Sequence, residues 1–283
     1  MGRDETLELD YIPPLDWAYF LRHHAFRALA GVEAVTDDRY TRTVSIGGDV
    51  GSLTVEHHPT EAKIVATVEG PARRHAAVIT RGVRRMFDLD LDPAAVRAGL
   101  GSDAHVGPLV AARPGLRIPG AWCPFEMLIR TVVGQQVTVK AATTVVGRLI
   151  QRHGRRLDTG ASLFPTPAAL ADADLADIGM PATRAATIRV VARAVADGAI
   201  DFDAPATARP ALLALPGIGP WTVEYFAMKG LGDADAWPGT DLVLKRVVER
   251  LAGTPRPGAF SDRWRPFRAY AAVHLWNDPA NAG

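Results

Sequence analysis

Cysteine is nearly absent: Cys123 is the one thiol in 283 residues. A single thiol excludes an internal disulfide and any four-cysteine iron–sulfur cluster. It fits a reducing compartment, though an exported bacterial protein without disulfides would look similar. The eight histidines form no ligand pattern. His23-His24 and His57-His58 are chain neighbours, which diverge on a helix or a strand. No side-chain metal site is expected. Long apolar runs are also lacking, so no bilayer span is read. "MGRDETLELDY" has no basic region followed by an apolar stretch, so no signal peptide is expected. Internal repeats, low-complexity segments and long charge runs are missing, which argues against extended disordered tails.

An excess of one charge is lacking as well, because the net charge is only +1. The distribution is more informative. Residues 1–112 carry 12 Lys and Arg against 16 Asp and Glu, and residues 113–283 carry 20 against 15. The C-terminal part is the one suited to meet a polyanion, although an asymmetry of this size also arises by chance.

What is present divides the chain in two. With 48% hydrophobic residues, 283 residues can bury a core and form two or three domains. "YTRTVSIG", "GSLTVEHH" and "AKIVATVEG" are short, β-branched and partly alternating, which predicts an antiparallel meander. "DWAYFLRHHAFRALAG" predicts a helix capped by Asp16 and stopped by Gly31. "RRHAAVITRGVRRMFDL" predicts a second. Residues 1–112 are therefore expected to form a small α+β domain. Beyond them the strand signal stops. Residues 113–283 read as all-helical, with short connections and a break near Gly134. "TDLVLKRVVERLAG" reads as a late helix.

The most pointed stretch is "LPGIGPWTVEYFAMKG". Glycines at 217 and 219 let the backbone take positive φ or approach another molecule closely. Pro220 suits the first turn of a helix. Amides ahead of such a helix can hold a phosphate without side-chain charge; a tight helical corner with no ligand fits the same four residues. Asp241 follows in "GTDLVLK", where it can serve as a helix cap or as a catalytic carboxylate. Trp221, Tyr225 and Trp276 can be core residues or cavity walls.

Together, "LPGIGPWTVEYF" and an aspartate twenty residues past Trp221 resemble the helix-hairpin-helix superfamily of base-excision DNA glycosylases. "PPLDWAYFL", "ARPGLRIPGAWCPFEMLIRTVVGQQVTVKAA" and "RWRPFRAYAAVHLW" extend the resemblance to the bacterial 3-methyladenine-DNA glycosylase II (AlkA-type) family, over roughly residues 8–276. The resemblance implies a sheet-and-helix N-terminal domain like half of the TATA-binding-protein fold. A helical glycosylase core follows, with the hairpin at 212–230 and a cleft between two helical subdomains. It implies Asp241 as the catalytic carboxylate, and Trp221, Tyr225 and Trp276 as the base pocket. Gly217, Ile218 and Gly219 would contact DNA. Gln136 stands where the family carries a leucine wedge, so damage preference is open to change. Main-chain carbonyls of Leu213, Leu215 and Ile218 would hold a monovalent cation, Na+ or K+; no other cofactor is required.

The implied partner is double-stranded DNA containing damaged bases, met by a monomer in the bacterial, nucleoid-associated cytoplasm. The implied reaction is hydrolysis of the N-glycosidic bond of alkylated bases such as 3-methyladenine and 7-methylguanine. Trp221 occupies the place of the lysine used by bifunctional members, and Lys229 and Lys245 fall at other helical positions, so no lyase activity is expected. Glu224 would have to point away from DNA. The alternatives are a glycosylase for another lesion, such as hypoxanthine, and a non-catalytic DNA-binding module.

Overall fold

In the computed structural model, residues 4–252 and 260–281 are described. The first three residues, 253–259 and the last two lie outside them. The predicted meander is the centre of a five-stranded antiparallel sheet in the order β1-β5-β4-β3-β2. The strands are β1 (Glu5–Asp10), β2 (Glu33–Val35), β3 (Arg39–Ile46), β4 (Asp49–His58) and β5 (Lys63–Glu69). The register pairs Leu9 with Ile64, Val55 with Ala66 and Tyr40 with Val55. One face is thereby buried against α1 (Trp17–Ala25) and α2 (Ala76–Phe87), through Phe20, Ile79, Val83 and Phe87.

Sequence pattern missed the two edge strands. β1 is mostly exposed on an edge and three of its six residues are acidic. β2 has only three residues, too few to show a period of two. Asp16 does cap α1, accepting from the Tyr19 amide at 2.9 Å. That helix stops at Ala25, not at Gly31. The chain turns at Phe26, and Leu29 and Val32 then pack into the helical core.

The helices that follow are α3 (Pro93–Leu100), α4 (Val106–Ala112), α5 (Pro124–Val133), α6 (Val139–His153), α7 (Pro167–Ala171) and α8 (Ala182–Ala196). After them come α9 (Pro205–Leu213), α10 (Pro220–Gly230), α11 (Leu242–Ala252) and α12 (Arg268–Trp276). This half is helical but not wholly so. Two-residue strands β6 (Arg155–Arg156) and β7 (Ser162–Leu163) form a small hairpin. Its main chain reaches the first domain, where Ser162 donates to the Gly31 carbonyl at 2.7 Å and accepts from the Thr43 hydroxyl at 2.6 Å. Strands this short have no sequence signature.

Three apolar cores result. One lies under the sheet, and one joins α5, α6, α8 and α9. The third joins α3 and α4 to α11 and α12. Residue 112 is the end of α4, whose side chains share a core with the C-terminal helices rather than with the sheet. No helix among the described residues is long and apolar enough to cross a membrane.

The sheet is tied to α5 by a buried charge network. Arg42 lies on the inward line of β3 between Tyr40 and Val44, where alternation calls for an apolar residue. It is 4% exposed and donates to Glu126 at 2.8 Å. Arg130, one turn along α5 from Glu126, bonds Glu33 at 2.6 Å and Glu126 at 2.5 Å. Tyr40 and the Leu29 amide also donate to Glu33. Burial alone would raise the Glu33 carboxyl, but Arg130 and Arg42 outweigh it and lower its pKa to about 2.

Because that folded pKa is depressed, ionised Glu33 contributes stability above the ordinary carboxylate range. The contribution fades as pH falls toward about 2. Glu33→Gln should therefore be less stable than wild type in denaturant melts at pH 7. The gap should narrow as the pH is lowered from about 4.5; a gap independent of pH would contradict the network.

Candidate active site

The site is built on α9, a turn and α10. Gly217 has φ +81°, and a Cβ there would sit 2.0 Å from the Thr187 hydroxyl of α8. The turn thus needs glycine for both conformation and space. Gly219 differs: its φ is ordinary, and a Cβ would meet nothing within 4 Å. The Gln135 side-chain amide donates to the Gly217 carbonyl at 3.0 Å and the Thr222 hydroxyl at 2.9 Å. Arg184 donates in turn to the Gln135 carbonyl at 2.7 Å. The hairpin is thereby clamped to the α5–α6 corner and to α8. Sequence reading missed Gln135, Thr187 and Arg184, because each acts across long chain separations.

Pro220 opens α10 and has no N–H of its own. The first α10 amide with a main-chain acceptor is Val223, on the Gly219 carbonyl at 3.1 Å. Among the described residues, the amides of Gly219, Trp221 and Thr222 have none. Free amides at a helix N-terminus are suited to hold an anion. Ile218 presents only its backbone there, since its side chain is buried in the α5–α9 core. Leu213 is exposed at the rim. The Leu215 carbonyl accepts from Ile218 at 3.2 Å, while those of Leu213 and Ile218 accept no hydrogen bond among the described residues.

Beyond the hairpin lies a cavity of about 660 Å³, whose lining includes Trp221, Tyr225, Trp276 and Asp241. Trp221 and Tyr225 are four residues apart on α10 and stack at 5.1 Å with planes 15° apart. Tyr225 meets Trp276 of α12 edge-on at 6.0 Å. Asp241 Oδ1 accepts from the Val243 and Leu244 amides at 3.0 and 3.2 Å, so it caps α11. The same oxygen accepts from Trp276 Nε1 at 3.0 Å. Oδ2 has no hydrogen-bond partner among the described residues. Capping and a chemical role are therefore compatible, because they use different oxygens.

Gln136 is exposed, with a left-handed backbone at φ +57°. It stands outside the cavity lining, whereas its neighbour Val137, 41% exposed, is part of it. Glu224 points away from the hairpin's anion site. It pairs with Arg209 and accepts from the Trp237 amide at 2.8 Å. Lys245 faces solvent near Glu249. Lys229 is not peripheral: it follows Tyr225 by four residues on the same face of α10, is buried, and lines the cavity. Its signal was the 221/225/229 spacing. Among the described residues, no cluster of His, Cys, Asp or Glu is suited to hold a metal ion.

A chain with a hairpin suited to an anion ahead of a carboxylate in an aromatic cavity has the parts of a base-excision protein. Residues 6–123 match the model of the AlkA N-terminal domain, and residues 129–259 that of the HhH-GPD superfamily base excision DNA repair protein. DNA-3-methyladenine glycosylase 2 of Escherichia coli K12 is 36% identical, covering 95% of each chain. A probable bifunctional transcriptional activator/DNA repair enzyme AlkA of Mycobacterium tuberculosis is also 36% identical, over 96% of this chain. The chain spans only 56% of that relative's length. In fold, the 3-methyladenine DNA-glycosylase of Archaeoglobus fulgidus superposes with a TM-score of 0.78 at 19% identity, covering 95% of this chain and 97% of that one. The chain belongs to the AlkA-type family of HhH-GPD base-excision DNA glycosylases.

The two hairpin glycines should separate in a thermal melt. Gly217→Ala is expected to lose more than about 1 kcal/mol, because left-handed backbone and the Thr187 contact both oppose a side chain. Gly219→Ala should melt within about 0.5 kcal/mol of wild type, as surface substitutions usually do.

Proposed function

We propose that the protein is a monofunctional glycosylase that removes alkylated bases from duplex DNA and leaves an abasic site. The observation that carries this reading is the placement of Asp241. Its Oδ1 is fixed by three N–H donors, beside an aromatic cavity that follows directly on a phosphate-suited hairpin. A base within a duplex is stacked out of reach, so the nucleotide must turn out into the cavity. The amides at Gly219, Trp221 and Thr222 would hold a phosphate on the way, and exposed Gln136 would fill the gap in the stack. The faces of Trp221, Tyr225 and Trp276 suit the positive charge of a base such as 3-methyladenine or 7-methylguanine.

As the glycosidic bond lengthens, its electron pair leaves with the base and positive charge grows on the sugar. The Asp241 carboxylate stabilises that charge, and water then adds to C1′. The proton released from water passes to solvent, directly or through Asp241. The carbonyls of Leu213, Leu215 and Ile218 would hold a monovalent cation that steadies the hairpin. Two of them lack any other donor among the described residues, which supports this fit.

Asp241→Asn is the direct test. Asparagine keeps an oxygen for the cap, so stability should change by less than about 1 kcal/mol. Release of methylated bases should fall by roughly a hundredfold or more, as for loss of a charge-stabilising group. Binding to DNA with an abasic-site mimic should persist. Near-normal release would end the catalytic assignment.

Strand cleavage by β-elimination needs an amine that forms a Schiff base at C1′. Trp221 offers none, and Lys229 lies eight residues further along α10, about 12 Å at 1.5 Å per residue. Treated DNA should therefore keep intact strands until heat or alkali. Borohydride should trap no covalent adduct in step with base release. An adduct abolished by changing one lysine would place the protein in the bifunctional branch.

A further inference from the structure

Lys229 is a polar group on the cavity wall that the proposed chemistry does not use. It is 3% exposed, lines the cavity, and has no hydrogen-bond partner among the described residues. Its Nζ is not sealed from the cavity, so its N–H donors are free for a ligand. We propose that Lys229 is a specificity-determining residue. Its amine would donate a hydrogen bond to a carbonyl oxygen on the edge of an uncharged, oxygen-bearing lesion base. This inference rests on the glycosylase reading above and assigns to Lys229 the contact that the cavity makes with uncharged bases.

The position favours the base over the sugar. α10 starts at the hairpin, so Trp221 stands near the DNA and Lys229 about two turns further along the helix. Tyr225 lies between them on the same face. A base stacked on these rings would direct its far edge toward Lys229. The surroundings there are rich in donors. His23 and Arg27 also line the cavity, and both lie close enough to act electrostatically on Lys229 or be acted on by it. Glu33 and Glu126 are engaged by Arg42 and Arg130, and Asp241 is held on α11 and Trp276 through Oδ1 alone. Asp88 is the one acid that favours the charged form of Lys229, against burial and Arg27. Burial and Arg27 together hold the amine's pKa well below the ordinary lysine range. In either protonation state the amine keeps N–H donors for an acceptor.

The chemistry separates two lesion classes. A cationic base such as 3-methyladenine leaves as a neutral molecule and needs no help at its edge. An uncharged oxopurine such as hypoxanthine leaves carrying the bond's electron pair, and negative charge spreads onto its carbonyl oxygen. A donor at that oxygen strengthens its interaction as the bond breaks, which is where binding lowers a barrier.

The test compares Lys229→Met with wild type on two duplex substrates, one holding hypoxanthine and one methylated to give 3-methyladenine. Methionine matches the length and removes the buried amine, so folding is not at risk from desolvation; Lys229→Gln serves as a second variant. The ratio of hypoxanthine to 3-methyladenine release should fall at least about tenfold, the worth of one hydrogen bond formed in the transition state. A ratio unchanged within about twofold would overturn the inference, as would wild type that releases 3-methyladenine but no hypoxanthine. Wild type that releases neither would instead sink the glycosylase reading itself.

Discussion

Everything at the site depends on α10 being packed from all sides. Val223 and Phe226 belong to the core shared with α5 and α9. Ala227 and Met228 belong to the core shared with α11 and α12. Glu224 is engaged by Arg209 and the Trp237 amide, and Trp221, Tyr225 and Lys229 line the cavity. Thr222 is held by Gln135. A helix fixed in this way cannot rotate to accommodate a ligand. Its N-terminal amides and its cavity face keep a fixed relation, so a phosphate held at one end would set where a base could lie along the other.

The carboxylate is located by the segment between α10 and α11. Arg209 bridges Glu224 and Asp233. Arg268, at the start of α12, bonds Asp235 through both its carboxylate and its carbonyl. Glu224 holds the Trp237 amide, and Asp241 then closes the segment on Trp276. Each bond is short-range, but together they tie α9, α10, α11 and α12 to one oxygen. A carboxylate fixed before substrate arrives is what the proposed reaction calls for, because no reorganisation would then be needed as charge develops on the sugar.

Legibility in the sequence followed how local each device is. The hairpin and the cap at Asp241 are written in neighbouring residues, and both stand where "PGIGP" and "TDLVLK" suggested. The aromatic set was legible only by resemblance. On α10 every face is buried, so no amphipathic stripe separates cavity residues from core. The same mixing hid Lys229, a polar residue in an otherwise apolar last turn. Arg42 was hidden for a related reason: on β3 it occupies an inward position, and only Glu126, eighty-four residues away, explains it. Edge strands β1 and β2 and the β6–β7 hairpin were too exposed or too short to carry a period.

The cavity is also not the property of the helical half. His23, Arg27, Glu33 and Arg42 of the first domain contribute to its wall. Arg130 of α5 donates to the Arg27 carbonyl as well as to Glu33, which joins that wall to the helical core through the buried charge network. Replacing such a network by apolar side chains can leave stability unchanged or raise it, so stability alone is a weak reason for it. Geometry is a better one. Four charges with fixed hydrogen-bonding directions allow one registration of sheet on α5, whereas an apolar contact tolerates sliding. In this protein that registration decides where His23 and Arg27 stand relative to Lys229, and hence the shape and the donors that a base would meet.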